Sequence, residues 1–315
     1  MMDAGKEDPV VSLTRKIKDL AGQVGFDACG IAKAEPLEHD SSVLNDWLVQ
    51  GKHAGMDYME RYTDKRRDPR LLFPGAKSVI VLMISYHEDF YLPDHHPKVA
   101  YYALRKDYHK VIKKMLKVLL RKIQSDCAPT LKGRAFVDTA PVLEKAWARQ
   151  AGLGWIGKNS LLLNEKFGSW TLLGELIVDH ALAYDKAAED RCGSCQLCLE
   201  ACPAGAIVKP HSLDARKCIS YLNKDAAKQE WNSNKNKLNE WVFGCDECQS
   251  ICPWNNNAVK ANKNIKTPGH IKELSLAEWR NLSLEKFNYY FDTTPLKSTG
   301  FDRIKSNIIQ VLSQQ

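Results

Sequence analysis

The chain has 315 residues, of which 44% are hydrophobic and 26% are charged, and its formal net charge is +7. A chain of this length buries a substantial core and accommodates two domains, or one domain with an inserted module. The first thirty residues alternate charges with short apolar groups, so we expect neither a signal peptide nor a membrane anchor, and a cytoplasmic globular protein. A net charge of this size is explained as well by simple solubility as by nucleic-acid binding, so charge alone does not indicate a nucleic-acid partner.

Apolar periodicity predicts a mixture of helices and strands. A helix is expected over residues 11–24, ending at Gly25, and a buried strand over residues 78–86. Residues 108–124 have one apolar face opposed by lysines and arginines, which predicts a basic amphipathic helix. Another helix is expected near the end of the chain, in the segment DRIKSNIIQVLSQ.

Asp138 occupies a junction between a strand and a helix. The segment RAFVDTAP predicts a short strand ending in a turn, followed by a helix that Pro141 can open and Gly152 can close. Such junctions often carry the chemistry of α/β architectures. The sequence alone favours a structural role, in which Asp138 or Thr139 serves as a helix cap.

Eight of the ten cysteines lie between Cys192 and Cys252. Without a secretory signal, this crowding indicates metal ligation rather than disulfides. The first four form the bacterial ferredoxin run C-x2-C-x2-C-x3-C-P, in which three thiolates bind one 4Fe–4S cluster and the fourth binds another. A second group, C-x2-C-x3-C-P, repeats the end of this run from Cys245 onwards.

If the last cysteine of each group binds the cluster of the other group, one of the two clusters has only three ligands. Cys218 is the remaining cysteine within the module and is taken as the fourth. The predicted ligands are therefore Cys192, Cys195, Cys198 and Cys252 for cluster 1, and Cys202, Cys218, Cys245 and Cys248 for cluster 2. Zinc would favour two spaced C-x2-C pairs and would not require the repeated C-P endings. Cys29 and Cys127 lie outside the module and are expected to be buried apolar thiols.

The segment GLGWIG has the form of a dinucleotide fingerprint but not its context. It follows a predicted helix rather than a strand, and no suitable acidic residue ends a second strand. We therefore do not expect a Rossmann site.

Four segments together resemble the epoxyqueuosine reductase family. They are DYHKVI (107–112), VDTAPVLEKAWARQAGLGWIGKNSLLLN (137–164), CGSCQLCLEACPAGAI (192–207) and GCDECQSICPWN (244–255). The resemblance spans approximately residues 10–258. It implies a cytoplasmic α+β enzyme in which a cobalamin-binding catalytic domain, similar to that of reductive dehalogenases, carries a ferredoxin-like module with two 4Fe–4S clusters. The implied reaction is the last step of queuosine synthesis, the reduction of the epoxide of epoxyqueuosine at the tRNA wobble position.

The resemblance also implies roles for individual residues. Asp138, in VDTAP, matches the family's proton donor, which suits the release of an epoxide oxygen, and burial in an apolar pocket is expected to raise its pKa. The implied cobalamin contacts are Arg61, Tyr101, Tyr102, Asp138, Lys158, Asn159, Ser160, Leu162, Ser169 and Leu173. The implied tRNA phosphate contacts are Lys113, Lys117, Arg121, Lys217 and Lys224.

Three segments are predicted: a catalytic domain over 1–185, the ferredoxin-like module over 186–258, and a C-terminal helical segment over 259–315. The residues after the module are too few for the helical-repeat extension of many family members, which implies a short form. We expect a monomer that does not bind membranes and receives electrons from an external single-electron donor of flavodoxin or ferredoxin type.

Two other functions remain open from the sequence. A corrinoid-dependent reductive dehalogenase acting on a small molecule is disfavoured by the missing Tat signal and the basic surface. An electron-transfer subunit would bind no corrinoid and would require a separate catalytic partner.

Overall fold

The computed structural model describes residues 7–260 and 264–314. The α-helices within these residues are α1 (Pro9–Val24), α2 (Glu38–Val49), α3 (Thr63–Arg67), α4 (Tyr108–Asp126), α5 (Glu144–Gln150), α6 (Leu197–Glu200), α7 (Ile219–Lys224), α8 (Lys228–Asn234), α9 (Glu247–Ser250), α10 (Leu276–Arg280), α11 (Leu284–Phe291), α12 (Leu296–Thr299) and α13 (Phe301–Leu312). The strands are β1 (Ala28–Lys33), β2 (Ser78–Ser85), β3 (Lys98–Val99), β4 (Gly133–Phe136), β5 (Trp155–Ile156), β6 (Leu162–Leu163), β7 (Thr171–Val178), β8 (Ile207–Lys209), β9 (Ser212–Leu213) and β10 (Trp241–Phe243).

A four-stranded antiparallel sheet in the order β1-β2-β7-β4 forms the centre of the fold. Every residue of β2 is buried, because helices cover both faces of the sheet. Ile80, Leu82 and Ile84 face α1 and α4, whereas Val79 and Val81 face α5. Burial of each such side chain contributes roughly 1.5–3 kcal/mol, so the alternating pattern fixes the register of β2.

The caps of α1 and α4 define where these helices begin. Asp8 accepts a hydrogen bond from the Val10 amide at 2.7 Å, and α1 ends at Gly25, whose φ of 104° lies in the left-handed region. Asp107 caps α4 by accepting a hydrogen bond from the His109 amide at 3.1 Å. This cap places the side chain of His109 at the amino end of α4, beside the loop that follows β4.

A second hydrophobic core joins the C-terminal helices to the centre of the chain. Strand β10 pairs in parallel with β3, and α13 packs against β10. Trp279, Phe291 and Ile308 are among the buried side chains that pack with Phe243 in this core. The α+β architecture expected from the sequence is thus confirmed, while the division of the chain at residues 185 and 258 stays a prediction.

The structure corrects the start of one predicted helix. Helix α5 begins at Glu144 rather than at Pro141, and no side chain caps it. The expectation that Asp138 or Thr139 caps this helix is therefore wrong. The residues between β4 and α5 form a loop, which leaves the Asp138 side chain available for other contacts.

The glycine-rich segment that follows α5 forms the hairpin β5–β6 rather than a turn between a strand and a helix. Gly154 has a φ of 150°, and a Cβ added to it would lie 2.1 Å from the backbone oxygen of Leu163. The close approach of two backbone segments therefore explains this glycine.

No helix in the described ranges is both long and apolar enough to cross a membrane.

Two glycines test the packing of the sheet against α5. A Cβ added to Gly30 would lie 2.1 Å from the Ala151 oxygen, whereas a Cβ at Gly22 meets nothing within 4 Å. We expect Gly30→Ala to lower the free energy of unfolding by about 1–3 kcal/mol. Gly22→Ala, within α1, is the matched control and should raise it by roughly 0.5–1 kcal/mol. Urea denaturation measures both, and equal midpoints for the two variants would contradict the packing described.

Candidate active site and cluster sites

A cavity of about 950 Å³ lies where the central sheet meets the second hydrophobic core. One wall comes from the end of β4, the loop after it and the start of α4. The opposite wall contains Phe243 and Tyr102, which both pack in or against the second core. Asp138 projects into this cavity with 48% of its side chain exposed. The size lies at the upper end of the range for sites that enclose small molecules and cofactors.

Asp138 forms its strongest contact with His109. Its Oδ2 lies 2.7 Å from His109 Nε2 and accepts a hydrogen bond from the Tyr108 hydroxyl at 3.1 Å. The other imidazole nitrogen, Nδ1, lies 2.7 Å from Asp107 Oδ1. Because both nitrogens of His109 face carboxylate oxygens, both can donate a hydrogen bond only when the imidazole is protonated. The arrangement is therefore an imidazolium held between two carboxylates.

The electrostatics of this group differ from the sequence-based expectation. The hydrogen bond from His109 holds the pKa of Asp138 below its ordinary value, and partial burial opposes this shift without overcoming it. The hydrogen bond to Asp138 correspondingly raises the pKa of His109. The expected raised pKa of Asp138 is wrong for this arrangement, because a cationic partner outweighs desolvation. The acidic proton of the pair resides on His109.

The loop conformation at Asp138 is held by Glu144. Asp138 has a φ of 46°, in the left-handed region that is unusual for a residue other than glycine. Its backbone N–H donates a hydrogen bond to the Glu144 carboxylate at the start of α5. The sequence pattern did not predict a role for Glu144, Tyr108 or His109. The signal available was the segment DYH, in which Asp107 caps a helix and directs the next two side chains toward the β4 end.

The Asp138–His109 ion pair predicts a defined pH dependence of stability. Its contribution is fully present between the ordinary pKa values of a carboxyl, about 4, and an imidazole, about 6.5. It is lost as the pH rises through the raised pKa of His109, or falls through the lowered pKa of Asp138. Asp138→Asn should therefore destabilise the protein more at pH 6 than at pH 9, and NMR titration should show a lower His109 pKa in this variant. An unchanged imidazole titration would contradict the ion pair.

The cysteines predicted for cluster 1 lie around one small cavity. Cys192, Cys195, Cys198 and Cys252 line it together with Lys158 and Asn159. Lys158 Nζ donates hydrogen bonds to the backbone oxygens of Gly193 at 2.6 Å and Cys195 at 2.8 Å. These contacts fix the turn that presents the first two thiols.

The four cysteines predicted for cluster 2 form a separate group. Cys245, Cys218 and Cys202 each act on the pKa of Cys248, so the four thiols lie close together. Burial is the largest cause that raises the pKa of Cys245, to about 12. Bound iron would deprotonate such thiols outright. The members of each predicted set thus lie near one another, and their assignment as cluster ligands stays a prediction.

Neither group suits a single ion. Across residues 7–260 and 264–314, no three His, Cys, Asp or Glu side chains converge closely enough to hold one metal ion. The four ligands of a 4Fe–4S cluster bind four different iron atoms, so their sulfurs stand around a larger volume than those of a zinc site.

The residues predicted to contact cobalamin occupy several environments. Tyr102 and Asp138 line the large cavity, while Lys158 and Asn159 lie at the cluster 1 cavity. Asn159 Nδ2 also donates a hydrogen bond to the Cys248 oxygen at 3.1 Å. The remaining residues lie outside both cavities. Tyr101 is buried beneath the Arg105 guanidinium, and Leu162 and Leu173 pack on the α5 side of the sheet. Ser169 donates a hydrogen bond to Gln249, the Ser160 oxygen accepts one from Lys145, and Arg61 is exposed.

The predicted tRNA contacts also separate into groups. Lys113 is exposed at the wall of the large cavity, and Lys117 and Arg121 continue along the exposed face of α4. Lys217 is exposed near Cys218. Lys224 instead lines the cavity, where its Nζ donates a hydrogen bond to the Tyr102 hydroxyl at 3.2 Å. Burial alone would lower the pKa of Lys224. The opposing effects of Tyr102 and Asp225 are larger in sum, so the pKa is raised and the ammonium group stays charged.

Two family models match the chain. One is described as epoxyqueuosine reductase QueG and matches residues 66–139, and the other is described as a 4Fe-4S double cluster binding domain and matches residues 191–255. Epoxyqueuosine reductase from Leadbetterella byssophila is 42% identical over 302 residues, which cover 94% of this chain and 97% of the relative. Epoxyqueuosine reductase from Pseudomonas aeruginosa is also 42% identical, over 94% of this chain and 84% of the relative.

Solved structures give the same result. A crystal structure of selenomethionine-labelled epoxyqueuosine reductase matches with a TM-score of 0.87 and 27% identity, over 96% of this chain and 81% of that chain. A structure of epoxyqueuosine reductase with an epoxyqueuosine-modified tRNA-Tyr stem loop matches with a TM-score of 0.82 and 27% identity, with the same coverage.

The α+β fold, the paired cysteine groups and the acidic site define an iron–sulfur oxidoreductase with two 4Fe–4S clusters. The chain belongs to the epoxyqueuosine reductase family.

Cys218 lies outside the two cysteine runs, so its substitution tests the cluster assignment. Cys218→Ala should reduce the iron content of the anaerobically reconstituted protein from about eight to about four atoms per chain. Cys127→Ala is the matched control, because Cys127 packs against the core beneath the sheet. Iron analysis and electron paramagnetic resonance of the reduced protein measure both variants. Eight irons in Cys218→Ala would contradict the assignment.

Proposed function

We propose that this chain reduces epoxyqueuosine in tRNA to queuosine, with cobalamin bound in the large cavity and two 4Fe–4S clusters supplying electrons. The observation that carries the proposal is the Asp138–His109 acid pair, which faces a cavity of about 950 Å³. Membership of the epoxyqueuosine reductase family supports the same substrate. A cytoplasmic location follows from a tRNA substrate.

The lining of the cavity fits cobalamin. The volume is large enough for most of a corrinoid ring, and aromatic faces from Tyr102, Tyr108 and Phe243 border it. Arg134, His109 and Asp138 supply polar groups on the wall that also carries Tyr108. When bound, cobalamin supplies low-valent cobalt as the reductant for the epoxide carbon. Tyr102 and Phe243 would pack against the cofactor, and Asp138 would face the substrate.

Cluster 2 is proposed as the cluster nearer to the reaction. Lys224 lines the large cavity, and its charge also acts on Cys218. Leu197, beside the cluster 1 cavity, is 42% exposed, so cluster 1 is the accessible entry point for an external single-electron donor of flavodoxin or ferredoxin type. Electrons would then pass one at a time from cluster 1 to cluster 2.

Acidic side chains of the cavity can protonate the epoxide oxygen, which leaves as water. Conversion of an epoxide to an alkene consumes two electrons and two protons and releases water. Asp138 is the more exposed member of the pair, while His109 holds the proton that the pair can deliver to the developing alkoxide. The Tyr108 hydroxyl fixes the orientation of the Asp138 carboxylate.

The exposed cations extend from the cavity along one helix. Lys113, Lys117 and Arg121 lie on the same side of α4, and Lys113 reaches the cavity wall. Such a row suits tRNA phosphates near the anticodon, and it would make binding dependent on salt without specifying sequence. We propose that the protein acts as a monomer.

Anaerobic reconstitution with iron, sulfide and cobalamin tests the proposal. The reconstituted protein should convert tRNA-bound epoxyqueuosine to queuosine when a low-potential reductant is supplied, as measured by mass spectrometry of the nucleosides. An electron-transfer subunit would bind no corrinoid and would form no queuosine by itself.

Asp138→Ala should lower turnover by about 10²–10⁴-fold, the usual contribution of a positioned general acid. The iron content should remain unchanged, because Asp138 contacts none of the cluster cysteines described above. Asp126→Ala, at the exposed end of α4, is the control and should retain activity. Undiminished turnover in Asp138→Ala would remove the proposed role of Asp138 in proton delivery.

A further inference from the structure

A fully buried carboxyl lies under the loop that carries Asp138. Glu175 occupies the central strand β7, directly opposite Val81 on one side and Phe136 on the other. Its side chain is 0% exposed, and neither carboxyl oxygen has a partner with hydrogen-bond geometry. An isolated carboxylate in such surroundings would be very costly, so Glu175 holds a proton.

Glu144 lies between this buried acid and the Asp138 loop. It is the first residue of α5, which packs on the same face of the sheet as Val81 and Phe136. Its carboxylate accepts the hydrogen bond from the Asp138 backbone N–H. This contact stabilises a left-handed backbone conformation that Asp138 would not adopt without support.

The charge of Glu144 acts on the buried Glu175. Burial raises the pKa of Glu175 well above its ordinary value, and the Glu144 carboxylate is the next largest cause. Desolvation is the largest cause that raises the pKa of Glu144, to about 7, and the charged groups that act on it are Asp138, Lys145 and His109. Two carboxylates so placed would repel each other, so Glu175 stays protonated while the Glu144 carboxylate accepts the hydrogen bond from Asp138.

We propose that Glu144 is a positioning residue that holds Asp138 in its reactive conformation, and that the proton on the buried Glu175 keeps a second negative charge away from the Glu144 carboxylate. Loss of this proton at alkaline pH sets two carboxylates against each other and weakens the contact with the Asp138 amide. The consequence for turnover rests on the proposed function, whereas the hold itself is a property of the chain without cofactors.

Hydrogen exchange at the Asp138 amide directly measures how strongly Glu144 holds this residue, which is called the hold below. In the full chain without cofactors, Glu144→Ala should accelerate exchange at this amide by about 10–100-fold, as expected for a lost hydrogen bond to a charged group. Glu144→Gln should retain most of the protection, because its amide oxygen still accepts the hydrogen bond. Glu285→Ala, an exposed first-turn glutamate of α11, is the matched control and should leave the Asp138 amide unchanged.

The proton on Glu175 has its own measurement. Infrared spectra of protein with isotope-labelled glutamate should contain a protonated carboxyl band at pH 7, and this band should be absent in Glu175→Gln. The protection factor of the Asp138 amide should fall at alkaline pH in the parent protein but not in Glu175→Gln, because a glutamine stays neutral at every pH. Absence of the band, or equal pH dependence in both proteins, would overturn the role of the Glu175 proton.

Turnover separates positioning from general stability. With reconstituted enzyme and an epoxyqueuosine-containing stem loop, Glu144→Ala should lower kcat by about 10–100-fold with little change in KM, and Glu144→Gln should recover most of the loss. Unchanged exchange at the Asp138 amide in Glu144→Ala would overturn the hold, whatever the activity. Normal exchange effects without turnover in the parent protein would overturn the proposed function and support the hold.

Discussion

The ion pair between His109 and Asp138 is the interaction on which the site depends. It joins the amino end of α4 to the loop after β4, at a distance of 2.7 Å. Asp107 completes it by capping α4 and contacting the other imidazole nitrogen, so one short segment both begins a helix and fixes a proton. The pair faces a large cavity and is only partly desolvated, which explains why its acidic proton lies on the histidine rather than on the aspartate.

The surrounding architecture keeps proton and electron supply on different walls of the cavity. The central sheet and its helices present the acid pair from one side, while the second hydrophobic core presents Tyr102, Phe243 and Lys224 from the other. We propose that cluster 2 approaches that second wall, because the charge of Lys224 acts on Cys218. A reductive reaction that also consumes protons needs both supplies to meet at one substrate, and the cavity is where they meet.

Local sequence patterns predicted much of this structure. The apolar runs of β2 and α4 and the cysteine spacing of the cluster module each depend on neighbouring residues in the chain. The structure agrees with the strand and the helix, and residues 191–255 match a 4Fe-4S double cluster binding domain, while the assignment of single cysteines stays a prediction. Two predictions were wrong: the start of α5, and the direction in which the pKa of Asp138 is shifted. The first depends on a loop whose backbone is held by Glu144, and the second depends on His109, which is 29 residues away in the sequence. Neither contact leaves a periodic signal, because each depends on a single side chain, six residues away in one case and 29 in the other.

In the proposed reaction, electrons held on the clusters reach the substrate in the cavity. Reducing the reconstituted protein with a measured amount of a single-electron donor, and then adding tRNA that bears epoxyqueuosine, measures this transfer. We expect this tRNA to reoxidise the clusters and one queuosine to form for every two electrons consumed. Clusters that stay reduced in the presence of this tRNA, with no queuosine formed, would contradict this transfer.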